Sequence, residues 1–151
     1  MRLLADLLTA SRLGLAAFIL WLGLRQGQDA FGLVVVLLLL GWSSDTLDGH
    51  LARRDRSGRK TWFSRNDVTV DAVFVIAGLL YLNLAGFVSW IFSLVYLAAA
   101  SFLLFLFRSH SLVIALEVPL GVLPALVAFS HQAVLGWAFV LWALIVFLFD
   151  W

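Results

Sequence analysis

The chain has 151 residues, of which 64% are hydrophobic and only 13% are charged, and its formal net charge is +1. A soluble domain of this length cannot bury so much apolar surface, so the composition excludes the soluble globular class. The chain contains no cysteine, which excludes a framework of disulfide bonds.

Six apolar segments follow one another, each close to the roughly 20 residues that a membrane-spanning helix needs. The expected spans cover residues 7–24, 31–51, 67–84, 87–107, 112–130 and 133–149, the first with an interfacial start over residues 2–12. Because a spanning segment must satisfy its backbone hydrogen bonds internally, these long apolar runs favour helices over strands. The sequence therefore predicts an all-α polytopic membrane protein, a single domain over residues 1–151 built as a bundle of about six transmembrane helices.

Basic residues are concentrated on one side of this six-helix arrangement. Arg2 and Arg108 fall on that side, whereas the opposite side has only Arg25 and His131. Six more lie between the second and third spans: Arg53, Arg54, Arg56, Arg59, Lys60 and Arg65. Since Lys and Arg are enriched in cytoplasmic connections, we expect this side to face the cytoplasm. We also expect these residues to contact anionic membrane lipids, and we expect no nucleic-acid partner.

Four aspartates stand at the predicted cytoplasmic ends of the second and third spans. Asp45 and Asp48 are three residues apart and Asp67 and Asp71 are four apart, so each pair shares one helix face. The two helices are neighbours in the chain, so we expect the pairs to face each other. Carboxylates that close repel one another unless they are protonated or share cations. Oxygen ligands suit hard ions such as Mg²⁺, Mn²⁺ or Ca²⁺, and two such ions can clamp a phosphoryl centre.

Small residues and an arginine follow the first aspartate pair. Gly49 and Ala52 leave room for a ligand, and Arg53, one turn after Gly49, can pair with phosphate oxygens. Together with the carboxylates, these residues predict a metal-assisted phosphate site at a membrane surface.

The run Asp45-x2-Asp48-Gly49-x2-Ala52-Arg53, followed by Asp67-x3-Asp71, resembles the signature of the CDP-alcohol phosphotransferase (CDP-alcohol phosphatidyltransferase) family. The resemblance implies a membrane enzyme of phospholipid biosynthesis, with a homodimer expected. Such an enzyme transfers a phosphoalcohol group, here expected to be phosphatidyl, from a CDP-linked donor to an acceptor alcohol and releases CMP. Asp71 would be the general base on the acceptor hydroxyl. The ligands of the Mg²⁺ or Mn²⁺ ions would be Asp45, Asp48, Asp67 and Asp71. The nucleotide would contact Gly49, Ala52 and Arg53.

Other parts of the chain also bear on this resemblance. Residues 8–12, Leu-Thr-Ala-Ser-Arg, are similar to the opening helix of the family. Phe63, however, stands where the family has its second glycine, and the connection after Arg53 is one residue longer. These departures keep open a catalytically impaired homologue that binds metal or lipid, or assists a partner enzyme. A divalent-cation carrier is a further alternative, disfavoured because the carboxylates stand at one membrane face rather than midway along a path.

Two more charged residues are candidates for contacts with the acceptor alcohol. Glu117 lies inside the fifth span, where an ionisable side chain is a functional candidate by default. Its alternative is a structural partnership within the bundle. Arg108, in the connection before that span, is a candidate ligand of an acceptor phosphate, and its alternative is an anchor at the membrane interface.

Overall fold

The computed structural model of the chain describes residues 2–54, 62–107 and 110–149, with side chains described over 7–47, 69–107, 111–113 and 115–148. Within these residues it has six α-helices and no strand. They are α1 Arg2–Arg25, α2 Phe31–Arg54, α3 Trp62–Leu84, α4 Trp90–Phe107, α5 His110–His131 and α6 Ala133–Phe149. A short 3₁₀ helix, Gly27–Ala30, joins α1 to α2. The prediction of an all-α bundle of six helices is confirmed.

Four helical segments are long and apolar enough to cross a membrane: Leu7–Arg25, Gly27–Leu47, Trp90–Phe107 and Ser111–His131. Two shorter apolar stretches, Thr69–Leu84 and Ala133–Leu148, belong to α3 and α6. The chain is therefore a helical membrane protein, with four segments of crossing length among the residues that the structure describes.

Helix α4 shows most clearly how the outer surface of the bundle suits a lipid environment. Its apolar side chains point outwards, with Ile91 75% exposed and Phe105 72% exposed. On its inner side, buried Ser93 donates a 3.0 Å hydrogen bond to Asn83 Oδ1 of α3. In water such an apolar face would be a liability, whereas lipid chains solvate it without cost.

The core of the bundle lies between α1, α2 and α3. Helix α1 packs most extensively on α3 and next on α2. The residues at the centre of this core are fully buried: Ile19 and Leu22 of α1, Val34 and Val35 of α2, and Tyr81 and Leu82 of α3. Because protein interiors are close-packed, this core fixes the axial positions of the three helices relative to one another. It therefore also fixes which polar residues of neighbouring helices stand side by side.

The chain turns sharply where α3 ends and α4 is about to begin. Gly86 has a φ of +77°, a backbone conformation that side chains with a Cβ rarely adopt. The turn is closed by the Phe87 N–H, which donates to the Leu82 carbonyl at 2.9 Å. At the same end of the bundle, the Tyr81 hydroxyl donates to the Gly27 carbonyl at 2.8 Å and ties α3 to the connection after α1.

Helices α5 and α6 form a hairpin that packs against α3 and α2. The ring of Trp42 on α2 lies 5.7 Å from Phe139 and 5.5 Å from Trp142, both on α6. The Trp142 indole N–H also donates to the Ser43 hydroxyl at 2.8 Å. These contacts hold the hairpin beside the half of α2 that carries the first motif aspartate.

Candidate active site

A buried arginine joins the two motif aspartates whose side chains the structure describes. Arg12 of α1 is 1% exposed, and its Nη1 donates to Asp45 Oδ1 of α2 at 2.7 Å. The same nitrogen donates to Asp71 Oδ1 of α3. Three helices thus bring one cation and two carboxylates together, and both carboxylates point at the same atom. The predicted meeting of Asp45 with Asp71 is therefore present in the structure.

Beside this cluster, the ring of Phe74 on α3 packs against Gly41 of α2. An added Cβ at Gly41 would lie 2.6 and 2.9 Å from the two Cε atoms of the Phe74 ring, and closer still to its Cζ. The ring therefore occupies the space that a side chain at position 41 would need. Gly41 stands one turn before Asp45, and Phe74 stands one turn after Asp71, so this contact lies directly beneath the two carboxylates.

A cavity of about 210 Å³ lies beside the Arg12–Asp45–Asp71 cluster. Its described lining comes from α1, α2, α3 and α5 and combines charged and apolar side chains. The lining includes Arg12, Trp42, Asp45, Asp71, Phe74 and Glu117. Three of these residues are acidic and one is basic, so the cavity favours cationic partners among small ligands.

Glu117 reaches this cavity from a turn of α5 that a proline interrupts. Pro119 has no N–H and its ring crowds the preceding turn, so carbonyls there need other donors. The Tyr96 hydroxyl of α4 donates to the Leu116 carbonyl at 2.6 Å. Helix α4 therefore supports the backbone immediately next to Glu117. Glu117 and Tyr96 also line a smaller cavity of about 120 Å³ between α3, α4 and α5.

An apolar groove of about 390 Å³ lies between α2, α5 and α6. It shares Trp42, Val118 and Gly121 with the charged cavity, so the two spaces adjoin. The rest of its lining is aliphatic or aromatic, including Phe129 and Phe139. A ligand with a charged head and an apolar chain could thus occupy both spaces at once.

The remaining predicted site residues lie outside the described side chains. Their backbones belong to two helices: Asp48, Gly49, Ala52 and Arg53 lie near the end of α2, and Phe63 and Asp67 lie near the start of α3. Helix α3 begins at Trp62, five residues before the expected start of the third span, so Phe63 lies in a helix rather than in the connection. Arg108 lies outside the described residues altogether. The predicted roles of these residues therefore stay predictions.

The described residues can be tested for their fit to a divalent metal. No group of three or more His, Cys, Asp or Glu among them is placed to hold an ion. Asp45 and Asp71 nevertheless present carboxylate oxygens to one shared cation, which is the donor chemistry that Mg²⁺ and Mn²⁺ require. The pair fits part of a divalent-ion site, to which Asp48 and Asp67 are the candidate further ligands.

The structure adds to the site a residue that lies outside the sequence motif, Arg12. The sequence predicts an interfacial start over residues 2–12, but Arg12 is buried among three helices because two carboxylates compensate its charge. A signal for this was present, since an arginine inside an apolar span is costly and marks a functional candidate. Its partners stand 33 and 59 residues away in the chain, a separation that no local spacing rule covers.

The fold and the site define a helical membrane protein with a carboxylate-lined cavity beside an apolar groove. The family model for CDP-alcohol phosphatidyltransferases matches residues 2–149, nearly the whole chain, and the protein belongs to that family. Comparison with the curated proteins and with the solved structures gave no match. Membership implies an enzyme of phospholipid synthesis that transfers a phosphoalcohol group from a CDP-alcohol to an acceptor alcohol.

Proposed function

We propose that the protein transfers a phosphatidyl group from a CDP-linked lipid to an acceptor alcohol and releases CMP. The observation that carries this proposal is the convergence of Asp45 and Asp71 on one cation at the wall of a cavity. These aspartates come from the two halves of the motif on different helices. Their meeting at a cavity is what a shared active site requires, and it would be a coincidence if they merely capped two helices.

In this proposal the four motif aspartates hold Mg²⁺ or Mn²⁺, with two ions expected. Asp45 and Asp71 contribute from the described part of the site, and Asp48 and Asp67 complete it. Divalent ions bound there would offset the negative charge of the donor's diphosphate and of the leaving CMP. Gly49, Ala52 and Arg53 would contact the nucleotide at the end of α2.

Asp71 is the proposed general base. Its carboxylate is 26% exposed and lines the cavity, so an acceptor hydroxyl can reach it. Arg12 donates to its Oδ1. As the proton passes to Asp71, a bond forms between the acceptor oxygen and the phosphorus that bears the lipid. The bond from that phosphorus to CMP breaks, and CMP leaves with the electron pair.

The apolar groove supports a lipid donor rather than a fully water-soluble one. It adjoins the charged cavity along Trp42, Val118 and Gly121, and its volume of about 390 Å³ suits part of an acyl chain. An acyl chain lying there would place the diphosphate of the donor in the charged cavity. The apolar lining would stabilise the chain at about 0.8 kcal/mol for each buried CH₂ group, relative to water.

The acceptor is proposed to approach from the side of α5. Glu117 lines the charged cavity opposite the aspartate helices and is a candidate contact for the acceptor. Arg108, which precedes α5 in the chain, is a second candidate. The concentration of Lys and Arg between α2 and α3 supports a site that faces the cytoplasm, as in a bacterial inner membrane or its equivalent. A homodimer stays a prediction.

The test of this function is CMP release by the purified protein in detergent. The assay would contain CDP-diacylglycerol, Mg²⁺ or Mn²⁺, and one of a panel of acceptor alcohols. We expect release that depends on one acceptor and is lost in Asp71→Asn, which keeps Mn²⁺ binding, whereas Asp45→Asn loses both. Asp29→Asn is the matched control, because Asp29 is exposed in the connection after α1.

Two outcomes would count against the proposal. Equal CMP release by wild type and Asp71→Asn would show that Asp71 is not the base. Equal Mn²⁺ affinity in all the variants would contradict the assignment of metal binding to Asp45 and of proton transfer to Asp71. No CMP release with any acceptor alcohol, with Mn²⁺ still bound, would favour the catalytically impaired homologue. The feature that supports this alternative is Phe63 at the position of the family's glycine.

A further inference from the structure

We infer that Arg12 is the resident counter-ion of the aspartate site. Its guanidinium neutralises Asp45 and Asp71 until divalent ions take these carboxylates, and it then binds phosphate oxygens of the CDP-linked donor. This inference rests on the proposed function, because it assumes that the motif aspartates bind metal and that a diphosphate enters the cavity. It assigns to α1 a direct part in the site.

The burial of Arg12 is the first observation that carries this inference. The side chain is 1% exposed within a helix that is otherwise apolar over Leu7–Arg25. A buried arginine is tolerated only where opposite charges and hydrogen bonds replace its hydration. Asp45 and Asp71 supply these through Oδ1 atoms that contact the same nitrogen, Nη1. In the absence of metal, the arginine and the two aspartates therefore stabilise one another.

Competition with metal follows from the identity of the contacted atoms. The carboxylates that hold Arg12 are the ones proposed to hold a divalent ion. Bringing a doubly charged ion to the same carboxylates would place two cations side by side in a site of low polarity, which is strongly unfavourable. Arg12 must therefore give way as the ion binds, and the apparent metal affinity is reduced by the free energy of breaking its contacts.

The cavity offers Arg12 a second partner. Arg12 itself lines the cavity of about 210 Å³, and its Nη2 lies 3.4 Å from the Thr9 hydroxyl one turn earlier in α1. The planar guanidinium presents several N–H donors in a fork that matches phosphate oxygens. A diphosphate in the cavity would thus pair with the Arg12 guanidinium that the metal ion displaces from the two carboxylates. The positive and negative charges of the site would therefore stay balanced as metal and donor bind.

The experiment measures Mn²⁺ affinity, CDP affinity and melting temperature rather than turnover. It compares wild type, Arg12→Gln and Arg12→Lys, with Arg25→Gln as the matched control at the exposed end of the same helix. We expect Arg12→Gln to bind Mn²⁺ about tenfold tighter or more, the change typical of one close charge pair. It should melt below wild type in EDTA and recover in Mn²⁺, and it should bind CDP more weakly in saturating Mn²⁺.

Arg12→Lys keeps the positive charge but loses the planar guanidinium and its paired N–H donors. It provides the test if Arg12→Gln does not fold. We expect its Mn²⁺ affinity to stay near that of wild type while its CDP affinity falls. Unchanged or weaker Mn²⁺ binding by Arg12→Gln would overturn the competition, and unchanged CDP binding by both variants would overturn the contact with phosphate. Failure of the proposed metal site looks different, because then neither wild type nor Arg12→Gln would bind Mn²⁺ at all. Failure of the transferase activity alone would leave these Mn²⁺ titrations unchanged and would appear only as absent CMP release.

Discussion

Replacing Gly41 by alanine tests the contact between Gly41 of α2 and the Phe74 ring of α3 beneath the aspartates. The new Cβ would stand 2.6 and 2.9 Å from two carbon atoms of the Phe74 ring, and the ring is 2% exposed. Alanine gains about 1 kcal/mol over glycine in a helix. Overpacking of a close-packed core typically costs about 1–3 kcal/mol, and this contact is severe enough for the upper half of that range. We therefore predict a net destabilisation of about 1–2 kcal/mol.

The same substitution should lower activity, because pushing α2 from α3 separates Asp45 from Asp71. Denaturant unfolding in detergent and CMP release would be measured on Gly41→Ala and on Gly32→Ala, a control in the same helix whose new Cβ would meet only Leu135 Cδ1, at 3.9 Å. Adding Phe74→Leu to Gly41→Ala removes the contacted ring atoms and should restore stability. If Gly41→Ala proved as stable and active as Gly32→Ala, the inferred packing of the Phe74 ring against Gly41 would be refuted.

The remaining predictions concern the acceptor side and the donor. Glu117→Gln should raise the KM for the acceptor by about tenfold or more and leave the KM for the CDP-linked donor unchanged, as steady-state CMP release would show. An unchanged acceptor KM would instead make Glu117 a structural partner within the bundle. Tyr96→Phe removes the hydrogen bond to the Leu116 carbonyl and should cost about 1 kcal/mol in unfolding free energy, with a rise in acceptor KM if that bond positions Glu117. Phe63→Gly should tighten binding of the CDP-linked donor if the phenyl ring occupies space that the family's glycine leaves open. A direct binding titration that shows no change would dismiss this obstruction.

The helices were predictable because each long apolar run demands internal backbone hydrogen bonding. Their packing was harder to predict, because nearly every residue in these runs is apolar and the pattern does not show which face is inside. Ile19 and Ile91 look alike in the sequence, yet Ile19 is fully buried and Ile91 is 75% exposed. Lipid and protein interior are both apolar surroundings, so hydrophobicity alone cannot separate them.

The aspartates could be found from the sequence because a helix places residues three and four apart on one face, so their spacing carries three-dimensional information. Glu117 could be found because an acid inside an apolar span is costly. Arg12 carries the same signal, but the sequence places no acidic residue within one helical turn of it, and the acids that contact it lie on two other helices.

An arginine inside a membrane span nevertheless predicts a contact with acidic residues on neighbouring helices, because its charge must be compensated there. In a short chain with four clustered aspartates on α2 and α3, those aspartates are the natural partners, and α1 is then required to pack against both helices. The observed core agrees, with Ile19 and Leu22 of α1 buried between α2 and α3. The packing of α1 is therefore part of the site's electrostatics. A substitution in that core, far from the cavity, should alter metal affinity whenever it shifts Arg12 along its helix axis.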